Sequence, residues 1–583
     1  MSRNQLFTTP EEALRELRRQ QEESDSENQE FEENVSEPDD DLLQPENRTE
    51  ELFDAQDHID NEIPTEGVSL ENVNFLLGRD NETIWADNPV ISKFCRTPNT
   101  NIITHLPGPK SEARGIIDEH KLFSFFINDE ILNEIVVRTN FEIERVKPNY
   151  SSKQWFVSPT SLVEIKALIG LLLFSAILKD SNLNTLDMFS KMFGPSIFRS
   201  TMTEKRFHFL LCNLRFDDKT TREARRATDK FAPFRNIWTI FEANCSKYYS
   251  PSEYVTIDET LLGFRGKCPF KTYIPSKPDK YGLKIISACD ARTFYFMGGI
   301  PYVGKTNQRR KEMSLPTQYV LELTKSIWGT KRNVTVDNWF CSYQLAEELG
   351  KKQLTLVGTL RKNKPQVPLP MFAKAPVNSS KFLYQDDKTL LSYTPKKDKK
   401  VLVLSSMHFS GEINEISKVP EMIEFYNLTK GGVDVLDKLC HDKTTKRSTN
   451  RWPMRYFFGI LDISAVNAFI IWKWNGNEPS YSNTARTKFI KTLAFTLTEP
   501  MMKQRAQNQH LPKELRSTIC NVLGLDAEVK EIPTLPSTTS QKRKRCGFCN
   551  ANKDRKGNFF CCKCNLCLCG EHKVVVCSSC LNN

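Results

Sequence analysis

The stretch from 253 to 359 constrains the fold more than any other part of the chain. There the apolar spacing shortens from three or four residues to two, the signature of strands. Strand-like segments at 253–258, 283–289 and 294–299 are followed by a helical segment at 315–328. A strand at 333–337, a helix at 341–349 and a strand at 354–359 complete the series. Three strands and then alternating helices and strands predict an α/β domain, a mixed sheet with helices on its faces.

Two of these strands end on an acid. Asp258 follows Val-Thr-Ile, and Asp337 follows Val-Thr-Val. Adjacent parallel strands present their C-terminal ends at one sheet edge, where ligands bind. Two carboxylates there supply the hard oxygen ligands that Mg²⁺ prefers. A pair of such ions about 3.5–4 Å apart serves phosphodiester chemistry. A third carboxylate from a later helix usually completes such a site. Asp434 and Asp437 in GGVDVLD are candidates, three residues apart and so able to share a helix face. Gly431 and Gly432 before them suit a close turn. For any one of these acids taken alone, a turn or cap role is the ordinary alternative.

Helical patterns flank the sheet region. Ser161 can cap a helix over 161–178, and 200–215 and 234–249 have the same periodicity. Arg222, Arg225 and Arg226 form a basic cluster there. Residues 364–420 read as a β-rich insertion, and 453–474 as a long amphipathic helix. The sequence GIPYVGKT (299–306) fits a phosphate-loop pattern, but no helix is patterned directly after Lys305 and Thr306, as phosphate binding would need. The first twenty residues lack a secretory signal, and the longest apolar run noted, 167–178, is too short to span a bilayer. No membrane partner is expected.

Charge is unevenly placed. Residues 1–70 hold 22 acidic against 5 basic side chains, while the whole chain is +9. An acidic, Pro- and Ser-rich region at 1–110 is therefore expected to be disordered, apart from a short helix near 10–21. The remaining body is strongly basic, which favours polyanion binding by counterion release. A basic surface kept only for solubility is the bland alternative.

The C-terminal 42 residues carry Cys546, Cys549, Cys561, Cys564, Cys569, His572, Cys577 and Cys580 in four close pairs. Eight ligands suit two tetrahedral Zn²⁺ ions. So short a segment has little core, so metal must largely hold it folded. An interleaved, cross-brace zinc finger is expected, the first pair joining Cys569 and His572 and the second joining the fourth. Cys562 and Cys567 are extra thiols that could shift this register. The tail also carries nine basic side chains against Asp554 and Glu571. Lys542, Arg543, Lys544 and Arg545 resemble a nuclear localisation patch, so a nuclear protein is expected. A zinc-stapled protein-interaction module, such as an adaptor or ubiquitin ligase, is the alternative.

Five blocks together resemble piggyBac-type transposases: TIDETLLGFRGKCPFKTYIPSKPDKYGLKI (256–285), NVTVDNWF (333–340), VGTLRKNK (357–364), YNLTKGGVDVLDKLC (426–440) and NRWPM (450–454). The resemblance runs from about 115 to the C-terminus. It implies an RNase H-like catalytic domain (253–363 and 421–443) interrupted by the β-rich insertion (364–420). It implies a mainly helical dimerisation and DNA-binding domain from 111–252 and 444–525; a polar, Pro- and Ser-containing linker (526–541) reads from composition, before the Cys-rich zinc domain (542–583). It implies that Asp258, Asp337 and Asp434 bind Mg²⁺ or Mn²⁺, with Asp437 as a fourth family aspartate, and that Arg361 and Lys364 touch DNA. Cut-and-paste movement of terminal repeats into TTAA sites, through hairpinned ends and by a homodimer, is the implied activity. A domesticated DNA-binding or chromatin protein without excision is the competing outcome.

Overall fold

In a computed structural model, the described residues run from Val68 to His572, except 71–72, 90–100, 104, 151–152, 180–182, 276, 305–312, 478–482, 526–543 and scattered positions in 550–565. The helix expected near 10–21, Lys542, Arg543, the 526–541 linker and Cys561, Cys564, Cys577 and Cys580 lie outside them. The chain divides into two compact units, 1–519 and 520–583.

A twelve-stranded mixed sheet organises the first unit. Its centre runs in the order Lys399–Ser405, Thr355–Leu360, Asn333–Val336, Tyr254–Gly263, Tyr281–Asp290, Phe296–Pro301. Asn333–Val336 lies parallel to both Tyr254–Gly263 and Thr355–Leu360. The remaining neighbours in this run are antiparallel. The mixed α/β sheet read from the sequence is therefore present, but the Asp258 strand is longer than expected. It continues through Asp258 to Gly263, because Thr260, Leu261 and Leu262 keep pairing with Tyr281–Asp290. Only Asp337 follows the end of its strand.

Within 364–420, Ser380–Tyr384, Thr389–Lys396 and Lys399–Ser405 are consecutive antiparallel strands. They extend the central sheet, through Lys399–Ser405 against Thr355–Leu360. The disorder expected through 110 is corrected at 68–70, 73–89, 101–103 and 105–110, where Gly108–Pro109 pairs with Tyr249–Ser250. Val68–Leu70, Val73–Leu77 and Ile84–Ala86 form strands, and Ala86 pairs with Tyr384. Trp85 is the reason: it is 1% exposed, and burying so large a side chain contributes about 3 kcal/mol. Its indole also donates to the Gln366 carbonyl at 2.9 Å.

Helices build the rest of the unit. Leu162–Ile177 is capped by Ser161 as the sequence indicated, and it packs along Asn483–Ala506. Glu204–Asn213 and Ala232–Tyr248 match the other two periodic segments. Trp452–Trp472 is a helix, but not an amphipathic one, since residues 454–471 are all buried. Its polar groups face other segments rather than water. Asn467 bonds both main-chain groups of Phe296 at 2.9 Å, and Asp462 accepts from Thr444 and Thr445 at 2.7–2.8 Å. Among the described residues, Trp452–Gly476 is the one helix long and apolar enough to cross a membrane, and its apolar stretch is buried inside the protein. In the phosphate-loop decoy, Gly299 lies within the strand Phe296–Pro301, and Lys305 and Thr306 are outside the described residues.

Candidate functional site

The parallel pairing sets Val336 opposite Ile257, so Asp337 and Asp258 emerge side by side at one end of the sheet. Thr256, Asp258 and Thr260 alternate onto one face, against the helix Gly432–Asp442. That helix approaches closely: the Thr256 hydroxyl donates to the Thr429 carbonyl at 2.6 Å, just before the helix begins. Gly432 permits this, because a Cβ there would stand 2.6 Å from Thr256 Oγ1. Gly431 lies in the turn into the helix, as expected from sequence, but with an ordinary negative φ, so the position where glycine is required is Gly432, for close approach.

Asp258, Glu259 and Asp337 bring carboxylate oxygens within 4.8 Å of one another. Asp434 is not in this close group. It sits on the first turn of its helix and pairs with Lys277, whose Nζ lies 3.0 Å from Asp434 Oδ1 and 3.9 Å from Asp437 Oδ2. Asp337 also accepts from the main-chain N–H groups of Trp339 and Phe340, at 2.9 and 3.4 Å. That fixes its carboxylate at the strand end. Glu259 is held at 2.7 Å by Lys284, whose ammonium lies over the Trp339 ring at 4.3 Å.

Burial and the neighbouring Glu259 charge push the Asp258 carboxyl well above its usual range, and the same two causes raise Asp337. Burial pushes Asp437 up to about 7. Burial alone would lower Lys277, but Asp434, Asp437 and Asp258 outweigh it and push it to about 12. Several half-buried anions that repel each other are costly unless a cation joins them. The donors are all hard oxygens, so the set fits Mg²⁺ or Mn²⁺. Sequence reasoning missed Glu259, Lys277 and Lys284. Glu259 sits next to Asp258 in TIDE, but strand alternation argues for the opposite face.

Arg361 is exposed and reaches toward Asn338, beside Asp337, at 3.4 Å. Lys364 lies on the same turn, half-buried, and burial lowers its ammonium. Arg79 fastens that turn, donating to the carbonyls of Lys362, Lys364 and Val367 at 2.5, 2.9 and 3.3 Å. Elsewhere in the unit lies a cavity of about 750 Å³ lined by seven cationic side chains, Arg222, Arg226, Lys267 and Arg451 among them, against the single carboxylate of Asp217. Asp217 is itself committed to Arg222 and Arg225.

In the second unit, Cys546, Cys549, Cys569 and His572 converge. Their Sγ and Nδ1 atoms lie 3.3–3.6 Å apart across four contacts. Those are the edges of a tetrahedron about 2.0–2.2 Å from centre to corner, the size of a zinc site. This is the first of the two ligand sets expected from the interleaved pairing. The thiol of Cys567 instead donates to main-chain carbonyls of Lys544 and Gly557 at 3.2 Å, so it stands outside this set.

Residues 118–469 match a family model described as Transposase IS4. The human PiggyBac transposable element-derived protein 3 is 21% identical over 379 residues, 62% of this chain. The human Chimeric ERCC6-PGBD3 protein matches to the same extent. The match spans 62% of the length of the first relative and 34% of the second. A solved structure, the piggyBac transposase synaptic complex with hairpin DNA, superposes with a TM-score of 0.69 at 39% identity, over 82% of this chain and 100% of that one. With a transposase model matched over more than half its length and a piggyBac structure so similar throughout, the chain belongs to the piggyBac family of transposases.

Proposed function

We propose that this chain is a DNA transposase that cuts and rejoins DNA strands with divalent metal ions, moving an element between TTAA sites. The observation that carries this reading is the convergence of Asp258 and Asp337 on neighbouring parallel strands, with Asp434 and Asp437 on the helix packed over them. Supporting an RNase H-like catalytic domain is the strand order, three antiparallel strands followed by two that run parallel to the first.

Asp258, Asp337 and Asp434 are the residues to hold the metals, with Glu259 near enough to contribute. Two divalent cations, when bound there, stabilise the charge on the attacking and leaving oxygens of a phosphodiester. The protein's own contribution is positional. Trp339 and Phe340 amides hold Asp337 in place, and the Gly432–Thr256 contact seats the Asp434 helix against the Asp258 strand. Arg361 and Lys364 flank the site and would grip the DNA backbone, while the basic cavity offers a second phosphate-binding surface. Cys546, Cys549, Cys569 and His572 hold one Zn²⁺ in a module that binds the transposon ends, and Cys561, Cys564, Cys577 and Cys580 hold the other. We extend the reading to a homodimer working in the nucleus, with Lys542–Arg545 as the address; Lys544 and Arg545 are exposed.

A cell-based excision assay tests it. The donor carries the DNA flanking this gene, and the wild-type chain is compared with Asp337→Asn. Seamless excision by the wild type alone supports the reading. Equal excision by both rejects the metal assignment. Specific DNA binding with no excision by either makes the chain a transposon-derived DNA-binding protein.

A further inference from the structure

Lys277 has a place that the cutting reaction does not explain. It lies in the short connection between the strands Thr272–Tyr273 and Tyr281–Asp290, and its side chain is 19% exposed. Its Nζ sits 3.0 Å from Asp434 Oδ1 and 3.9 Å from Asp437 Oδ2. Asp258, Glu259 and Asp337 already share a close oxygen cluster that Asp434 does not join. The third expected metal ligand is thus turned toward an ammonium rather than toward its two partners.

Two features make this ammonium displaceable. The main chain at Lys277 is fixed independently of its side chain, since its N–H donates to Ile274 O at 3.2 Å and its carbonyl accepts from Lys280 N at 3.1 Å. The flexible stem can therefore swing away without moving the loop. Asp434 itself is 55% exposed, open to an incoming ion from solvent.

We propose that Lys277 is a positioning residue that competes with the divalent cation for Asp434, holding this carboxylate away from Asp258 and Asp337 until a metal displaces the ammonium. The proposal rests on the metal reading above. Removing the competing charge strengthens metal binding, whereas losing an ordinary supporting partner of a ligand weakens it. Such partners commonly change affinity by about 10–100-fold.

The test titrates Mn²⁺ into the full-length protein and follows free Mn²⁺ by electron paramagnetic resonance, without any DNA. Wild type, Lys277→Met, Lys277→Arg and Asp337→Asn are compared, with thermal unfolding of each as a check on folding. Binding that survives in Asp337→Asn measures other sites, including the cysteine cluster, and is subtracted. Tighter binding by about 10-fold in Lys277→Met, with Lys277→Arg near wild type, supports the proposal. Equal or weaker binding in Lys277→Met, while Asp337→Asn loses the site, overturns it and leaves the metal reading standing. Full retention of binding in Asp337→Asn overturns both. If Lys277→Met unfolds, Lys277→Gln carries the same comparison.

Discussion

Adding one methyl group at Gly432 tests how the candidate site is held together. In an open helix, Gly→Ala stabilises by about 1 kcal/mol. At Gly432 the new Cβ would meet Thr256 Oγ1 at 2.6 Å, Thr256 Cβ at 3.1 Å and Ala291 Cα at 3.2 Å. Ordinary contact begins at 3.4 Å, so the helix or strand must yield by about 0.8 Å. Neither neighbour gives way cheaply: Thr256 is tied to Thr429 O at 2.6 Å, and Ala291 offers main chain. Overpacking of this kind costs roughly 1–3 kcal/mol, enough to reverse the helix-propensity gain. In a unit this large each kcal/mol lowers Tm by about 2–4 °C. Asp434 and Asp437 ride on the shifted helix, and a misplacement near 1 Å costs about 100-fold in rate. Gly432→Ala should therefore lower Tm and cut excision by about two orders of magnitude. A Tm at or above wild type with excision intact would refute the close-approach argument.

Other perturbations probe separate links. Arg79→Ala removes three hydrogen bonds from the turn carrying Arg361 and Lys364, so DNA binding should weaken in fluorescence anisotropy while Mn²⁺ affinity is unchanged. Unchanged DNA affinity would mean that the turn holds itself. The side chains of Arg226 and Lys267 line the basic cavity and make no hydrogen bond or ion pair among the described residues; reversing both to Glu should lower DNA affinity and flatten its salt dependence, and an unaltered salt slope would remove the cavity from the DNA path. Although burial works to raise it, the Glu142 carboxylate is held down to about 2 by Arg145, Arg215 and Lys219. A depressed carboxylate contributes stability above its unfolded pKa, and that contribution is lost as pH falls from about 4.5 toward 2. Discounted for solvent screening, it amounts to about 1–2 kcal/mol at neutral pH, and Glu142→Gln should flatten the acid limb of the stability curve by that amount. Chelating zinc should expose the 520–583 unit to protease without shifting the main unfolding transition; protection that persists without metal would show a fold that does not need it.

Much of the site was legible from residues alone. Apolar alternation ending in Asp located two carboxylates, GGVDVLD supplied two more, and the spacing of Cys546, Cys549, Cys569 and His572 anticipated the cluster that forms. Local periodicity reports which way a side chain faces within its own element. It is silent on what lies opposite. In the helix 453–474, Arg455, Asp462 and Asn467 interrupt the apolar run, yet their partners come from outside the helix, at residues 263, 444–445 and 296. The strands at 68–86 hid inside a polar sequence because their order depends on Trp85 reaching Gln366 and Ala86 pairing with Tyr384.

The sequence by itself determined the chemistry: which carboxylates, thiols and basic side chains exist, and that a mixed sheet carries the first two acids. Tertiary structure alone decided the register that sets Val336 beside Ile257, the close approach at Gly432, and the arrival of Lys277 at Asp434 ahead of the other acids. The physical reason is that each of these depends on contacts between segments tens to hundreds of residues apart, where packing and charge pairing outweigh any local preference.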